Sequence, residues 1–218
     1  MKDFSKQIEA ISQRLDQLES LSAEMLDREN TAVFIVDMIG GFAKKGALYS
    51  PRTEKLIPKI ASFAGRCKEK GIEVITFADS HPSDSPEFEG YPPHCLEGSE
   101  ESAVVKELSG YPLFHKNSTN AIFAPGFLDW LSEKEGKQQF VVTGVCTDIC
   151  IYQFAVALKC WFNQKNRKTD IIVPLSMVDT FELGIHSAEL FNLIFWNSML
   201  DNGVNLVKIG RASCRERV

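Results

Sequence analysis

Apolar residues recur along residues 3–27 at spacings of 4, 3, 4, 3, 3 and 4: Phe4, Ile8, Ile11, Leu15, Leu18, Leu21 and Met25. This heptad-like seam predicts a helix, laid either on the rest of the chain or against a partner subunit. The register slips near its end, where Ser22 takes the seam position and Leu21 stands beside it. From residue 31 the pattern changes. Short apolar, β-branched runs appear at TAVFIVD (31–37), IEVITFAD (72–79), QFVVTG (139–144), KTDIIVPL (168–175) and VNLVK (204–208), with a shorter one at 111–115. Amphipathic stretches at 53–70, 125–136, 148–163 and 184–202, and a short one at 101–109, alternate with them and predict helices. Strands that are apolar on both faces, alternating with helices, indicate an α/β fold. The expected architecture is a three-layer αβα doubly wound, mainly parallel sheet over residues 31–208, with residues 1–30 as an N-terminal helical extension. No internal repeat or interdomain linker interrupts it.

Composition narrows the function classes without naming one. The 218 residues are 44% hydrophobic and 24% charged, which suits one globular domain with a sizeable core. A net charge of −5 supplies no electrostatic footprint for nucleic acid or an anionic membrane. No apolar run approaches the roughly 20 residues of a transmembrane helix. The opening MKDFSKQIEA lacks the apolar core of a signal peptide, and the six cysteines are scattered, so reduced thiols in the cytoplasm are expected. The last ten residues, IGRASCRERV, break the pattern. One permitted back-translation, ATC GGA AGA GCG TCG TGT AGG GAA AGA GTG, matches a widely used sequencing adapter. Residues 209–218 are therefore read as a translation artefact and kept out of the fold.

Ligands of open α/β sheets bind beyond the carboxyl ends of the strands. Here the first strand ends on Asp37, the second on Asp79, and the third on Gly144, just before TDIC-bearing residues 146–150; Lys116 follows the short strand at 111–115. An acid, a lysine and a cysteine can converge on that rim. Of the two cysteines, Cys150 falls in the first turn of the next helix, where free N–H groups and the helix dipole favour a thiolate, with Thr147 as candidate N-cap. Cys146 sits in the preceding turn, and its N–H is the more useful group. A second constellation lies in ADSHPSDSPEFEGYPPH: Asp79, His81, Glu87 and His94. Two imidazoles and two carboxylates suit Zn²⁺, Mn²⁺ or Fe²⁺, but the same residues also suit a solvated polar loop.

Together, VDMIGGF, DSH…E…PPH, HKNSTNAIF and GVCTDIC resemble the isochorismatase-like cysteine hydrolases, and within them the nicotinamidase branch, over about residues 31–207. The resemblance implies Cys150 as nucleophile, Asp37 as the base that takes and returns its proton, and Lys116 as the cation that steadies both. It implies a thioester intermediate, a cis peptide before Cys146, and an oxyanion hole from the N–H groups of Cys146 and Cys150. It also implies one divalent transition metal on Asp79, His81, Glu87 and His94 that orients a pyridine ring, and aromatic walls from Phe42, Tyr91 and Phe123. The activity implied is hydrolysis of nicotinamide to nicotinate and ammonia in NAD salvage, by a homo-oligomer. The alternative is a related amidase acting on a carbamoyl or ureido substrate. The family's common VDxQNDF reads VDMIGGF here, which bears on substrate preference more than on the chemistry.

The remaining reactive residues are expected to be structural. Cys67 and Cys160 read as core thiols and Cys95 as loop packing. Trp130, Trp161 and Trp196 read as core or subunit contacts, His115 as facing away from Lys116, and His186 as a surface residue at a helix start. A Cys146–Cys150 redox pair and an inactive binding homologue are the competing classes. The C-x-x-x-C spacing disfavours the first and the intact Asp37, Lys116 and Cys150 set disfavours the second.

Overall fold

A computed structural model describes residues 3–134 and 136–209. The seam residues form α1 (Ser5–Asp16), which is shorter than the expected helix to residue 27. The chain then leaves the helix, and β1 (Ser20–Leu21) pairs in parallel with the last strand, β8 (Asn205–Ile209). The serines at 20 and 22 are weak helix formers, and the β8 edge offers their backbone a better partner. On α1, Leu15 is buried, while Phe4 and Ile8 stay exposed. Arg14 ties α1 to the C-terminal helix α7 (Ala188–Asp201) by donating to Asn197 Oδ1 at 2.7 Å and Asp201 Oδ1 at 2.6 Å.

The expected α/β architecture is present. The central strands are β2 (Thr31–Val36), β3 (Glu73–Asp79), β4 (Leu113–Lys116), β5 (Gln139–Val145) and β6 (Asp170–Pro174), with a two-residue β7 (Val178–Asp179) beside β5. Their order is β1-β8-β6-β5-β2-β3-β4, and every ladder between named strands is parallel. β2 is buried along its whole length, as a central parallel strand with both faces covered must be. Alternate side chains feed two cores. Phe34 points to one face, among Phe77, Phe127, Phe140 and Phe154 at ring separations of 5.5–5.7 Å. Val33 and Ile35 point to the other, against Ile60, Phe63 and Cys67 of α4 (Ile57–Glu69). The first core is closed by α5 (Phe127–Glu133) and α6 (Tyr152–Gln164).

Four local expectations change. The helix expected at 53–70 divides into α3 (Pro51–Glu54) and α4, because Pro58 has no N–H to donate to Glu54 O and is tolerated only in the first turn of a helix. A four-residue helix, α2 (Gly40–Ala43), follows the first strand. Residues 101–109 hold only one 3-10 turn, Lys106–Leu108. Cys160 is exposed, whereas Cys67 is buried as expected and burial pushes its thiol up to about 12. β8 runs through Ile209, one residue into the stretch read as an artefact; residues 210–218 lie outside the described residues. No helix among the described residues is long and apolar enough to cross a membrane.

Candidate active site

Strand register assembles the first cluster. Val36 stands opposite both Phe77 and Gly144, and Asp79 stands opposite Lys116, so four strand ends finish level. Gly144 allows this close approach: its φ is +117°, and a Cβ there would lie 1.9 Å from Val36 O. Directly after β2, Asp37 adopts φ +56°, a left-handed conformation that aspartate tolerates better than most residues. Its N–H donates to Phe77 O at 2.9 Å, and Asp37 Oδ1 accepts from Asp79 N–H at 3.1 Å. After β5 the Val145–Cys146 peptide is cis, and residues Thr147–Ile151 form a π-turn that runs into α6. Such wide turns recur at functional sites. Cys146 occupies the cap position, so Thr147 does not cap the turn with its hydroxyl; that oxygen is buried without a partner among the described residues.

Asp37, Lys116 and Cys150 meet below this turn, all buried. The Lys116 ammonium lies 2.9 Å from Asp37 Oδ2, donates to Asp79 Oδ1 and to Ser118 O at 3.1 Å, and approaches Cys150 Sγ at 3.9 Å. One donor atom from each of Asp37, Asp79 and Cys150 falls within 4.8 Å of the others. The electrostatics follow from burial. Desolvation and the neighbouring Asp79 charge raise Asp37 to about 7, with Lys116 opposing them. Desolvation also holds the Cys150 thiol well above its ordinary value, again against Lys116. Lys116 loses solvation too, yet the charges of Asp37 and Asp79 raise it well above the usual lysine range. The resting arrangement is a neutral thiol, a fixed ammonium and a carboxylate able to accept a proton near neutrality.

Asp79 belongs to two clusters. Its Oδ2 lies 3.7 Å from His81 Nε2 and 4.0 Å from His94 Nε2, and Glu87 Oε1 lies 3.9 Å from each of those nitrogens. The outer ring nitrogens are already engaged: His81 Nδ1 with Asn117 Oδ1 at 2.7 Å and His94 Nδ1 with Pro92 O at 2.9 Å. Both partners are acceptors, so each Nδ1 carries the hydrogen and each Nε2 presents a lone pair to the shared space. His81 Nε2 is buried and has no hydrogen-bond partner among the described residues. That orphaned lone pair, facing two carboxylates and a second imidazole, fits a divalent transition metal held at about 2.0–2.2 Å from each donor.

A cavity of about 580 Å³ opens over both clusters, lined by Phe42, Tyr91, Ile149, Phe181 and Leu183, with Asp79, Glu87, His94, Cys146 and Cys150 at its base. Phe42 and Tyr91 stand 5.7 and 6.1 Å from the His94 ring. Phe123 does not line this cavity and is 69% exposed. Its neighbours Ala121 and Ile122 are buried in the first core, and the 3-10 turn they share directs Phe123 outward. Phe181 and Ile149 stand in the wall instead. A larger depression of about 750 Å³ lies along β4 among serines and Tyr111; Lys116 and Asn117 also line it, but Cys146, Cys150, His81 and His94 do not. His186 is not a surface residue: its ring is stacked between Phe181 and Phe191 and bonded to Asp148. Arg52, on the cavity wall and bonded to Asp179 Oδ1 at 2.9 and 3.1 Å, also escaped the sequence reading, because α3 showed no motif.

The family model for the isochorismatase domain matches residues 31–159, from the start of β2 through most of α6. The chain belongs to the isochorismatase family. Within it, the chain is 30% identical over 187 residues to nicotinamidase 1 of Arabidopsis thaliana, covering 76% of each protein. The isochorismatase fold is shared with N-carbamoylsarcosine amidase of Thermoplasma acidophilum, at TM-score 0.68 and 21% identity, over 84% of this chain and 99% of that one. It is shared equally with a nicotinamidase of Bacillus subtilis, at TM-score 0.67 and 21% identity over 82% and 99%. A zinc complex of a Pyrococcus horikoshii pyrazinamidase matches at TM-score 0.68 and 20% identity, over 83% and 99%.

Proposed function

We propose that this isochorismatase-family chain is a cysteine amidohydrolase that cleaves a carboxamide C–N bond, with nicotinamide as substrate and nicotinate and ammonia as products. The observation that carries the reading is Lys116 between Asp37 and Cys150, next to a cavity whose lining includes Cys150, Asp79 and His94. As Cys150 Sγ attacks the amide carbon, its proton passes to Asp37, and the Lys116 ammonium compensates the charge between them. The N–H groups of Cys146 and Cys150 receive the oxyanion. Asp37 returns the proton to the nitrogen, the C–N bond breaks, and ammonia leaves a Cys150 thioester. Asp37 then takes a proton from water, whose oxygen attacks the thioester and releases the acid and the thiol. When bound at Asp79, His81, Glu87 and His94, a divalent metal would offer a coordination point to a lone-pair donor on the substrate, such as a pyridine nitrogen. Phe42 and Tyr91 would flank a flat ring. The curated nicotinamidase relative supports this substrate and, with it, a place in NAD salvage.

Arg52 supports a second reading. A guanidinium on the cavity wall suits a carboxylate, as an N-carbamoyl or ureido acid would bring. Ammonia release is to be measured on nicotinamide, pyrazinamide, an N-carbamoyl amino acid and a ureido acid, with metal content determined on the same protein. Nicotinamide turnover with about one metal per chain is expected. Turnover of the carbamoyl or ureido acids alone, without metal, overturns nicotinamide and leaves the cysteine chemistry intact. Exposed Phe4 and Ile8 on α1 support a homo-oligomer, which light scattering reads directly.

A further inference from the structure

Asp148 and His186 lie outside the catalytic set, yet they join the turn that carries Cys150 to the wall of the cavity. Asp148 sits in the π-turn between Cys146 and Cys150, and its side chain is 5% exposed. Asp148 Oδ2 lies 2.8 Å from His186 Nε2, while Asp148 Oδ1 is buried with no partner among the described residues. The other ring nitrogen, Nδ1, lies 2.9 Å from Phe181 O. Both facing atoms are acceptors for a ring N–H, so the ring is held from both of its nitrogens. The ring itself is clamped between Phe181, stacked at 3.9 Å and 9°, and Phe191, at 3.9 Å and 31°.

The segment so held is compact and faces the cavity. Leu183 and His186 exchange backbone hydrogen bonds at 3.1 and 2.9 Å, and Glu182 Oε2 accepts from Ala188 N–H at 2.7 Å at the start of α7. Phe181, Glu182 and Leu183 line the cavity, while Leu183 and Ile185 are exposed on the outside. His186 is one hydrogen-bonded link from this wall to the nucleophile's turn, beside the contacts that Cys146 makes with Thr180 and the Phe181 backbone. Asp148 is its counterpart, a buried carboxylate that stays solvated by protein only while a donor faces it.

We infer that His186 and Asp148 are a positioning pair: His186 ties the 181–187 wall to the π-turn and thereby holds Cys150 against Asp37 and Lys116. The inference rests on Cys150 being the nucleophile. It does not depend on which amide is cleaved. Removing the tether frees the turn to move the thiol off its base without unfolding the sheet.

The test uses the full chain and iodoacetamide, with alkylation of Cys150 followed by peptide mass, because this needs no substrate. His186→Phe keeps an aromatic ring between Phe181 and Phe191 and removes both ring nitrogens; Asp148→Asn keeps the shape and removes the carboxylate. Each is expected to slow Cys150 alkylation about tenfold, and the double variant no further, the non-additivity of two residues in contact. The urea midpoint is expected to fall for His186→Phe, which leaves the buried Asp148 carboxylate without its donor, and to stay nearer the parent's for Asp148→Asn, with both proteins folded under the alkylation conditions. His186→Gln, which restores one donor, is expected to recover part of the rate, and it replaces His186→Phe should that variant not fold. Alkylation at the parent rate in the single variants, or additive losses in the double, overturns the pair. If alkylation behaves as expected but no amide is hydrolysed, the amidase reading fails and the tether stands.

Discussion

Lys116→Met is the sharpest test of the buried cluster, because the side chain is nearly isosteric and removes only charge and hydrogen bonds. In the folded protein Lys116 lies between two buried carboxylates, 2.9 Å from Asp37 Oδ2 and bonded to Asp79 Oδ1. Removing one partner of a buried ion pair costs about 3–5 kcal/mol, since the remaining charge is left in low dielectric. With a urea m-value of about 2–3 kcal/mol/M, that lowers the midpoint by about 1–2 M near pH 8. The loss carries a pH signature. Burial and Asp79 already raise Asp37 to about 7, far above an ordinary aspartate, and Lys116 opposes that rise. Without Lys116 the folded carboxyl holds its proton more tightly still. A folded pKa above the unfolded one means that the native state binds more protons, so stability falls as pH rises from about 4 through the folded value. Urea titrations at pH 5.5 and pH 8, with metal content matched, should therefore show the larger loss at pH 8. Lys116→Met combined with Asp37→Asn should regain part of the stability at pH 8 and lose part of the pH dependence, the remainder coming from Asp79, whose charge Lys116 also offsets. A Lys116→Met protein within about 1 kcal/mol of the parent at pH 8, or equally weakened at both pH values, would refute the burial argument.

Three further outcomes are expected. Cys150→Ser should cut ammonia release by about 10³-fold or more while Cys146→Ser stays within about tenfold, because in the proposed reaction Cys150 supplies sulfur and Cys146 only a backbone N–H; equal losses would restore the redox-pair reading. The acidic limb of kcat/KM should bend near pH 7, activity falling as pH falls because protonated Asp37 cannot accept the thiol proton; a pH–rate profile from 5.5 to 8.5 measures it. His81→Ala should abolish stoichiometric metal on elemental analysis after dialysis against Zn²⁺. Asn117→Ala, which releases the ring nitrogen held at 2.7 Å and the Ser85 hydroxyl held at 2.9 Å, should weaken the metal affinity by about 10–100-fold.

The parts of the site that were legible in the sequence are those decided by topology. A parallel sheet brings strand ends to one rim whatever the side chains do next, so Asp37, Asp79, Lys116 and the cysteine turn could be placed together from strand boundaries alone. The parts that escaped depend on how the chain turns after the rim. Phe123 follows Lys116 in a recognisable run, but a single 3-10 turn with two buried neighbours sends it to solvent. His186 looked like an isolated polar residue because both of its partners, Asp148 and Phe181 O, are brought to it by folding. The same reason hid β1: Leu21 continues an apolar seam locally, and only Ile209 at the far end of the chain makes it a strand.

Asp79 shows why the two halves of the site are hard to separate. One of its oxygens serves Lys116 and the other faces both histidines, at the end of a strand whose register against β4 puts Asp79 opposite Lys116. Burial alone would raise its carboxyl, but the Lys116 charge holds it below the ordinary carboxylate value, so it is anionic when it faces the metal space. A cation bound there would draw on the same negative charge that helps raise Asp37. The histidine cluster therefore reaches the base through one shared carboxylate and not through the nucleophile. Its influence on the chemistry should be read in the acidic limb of the pH profile before it is read in the thiol.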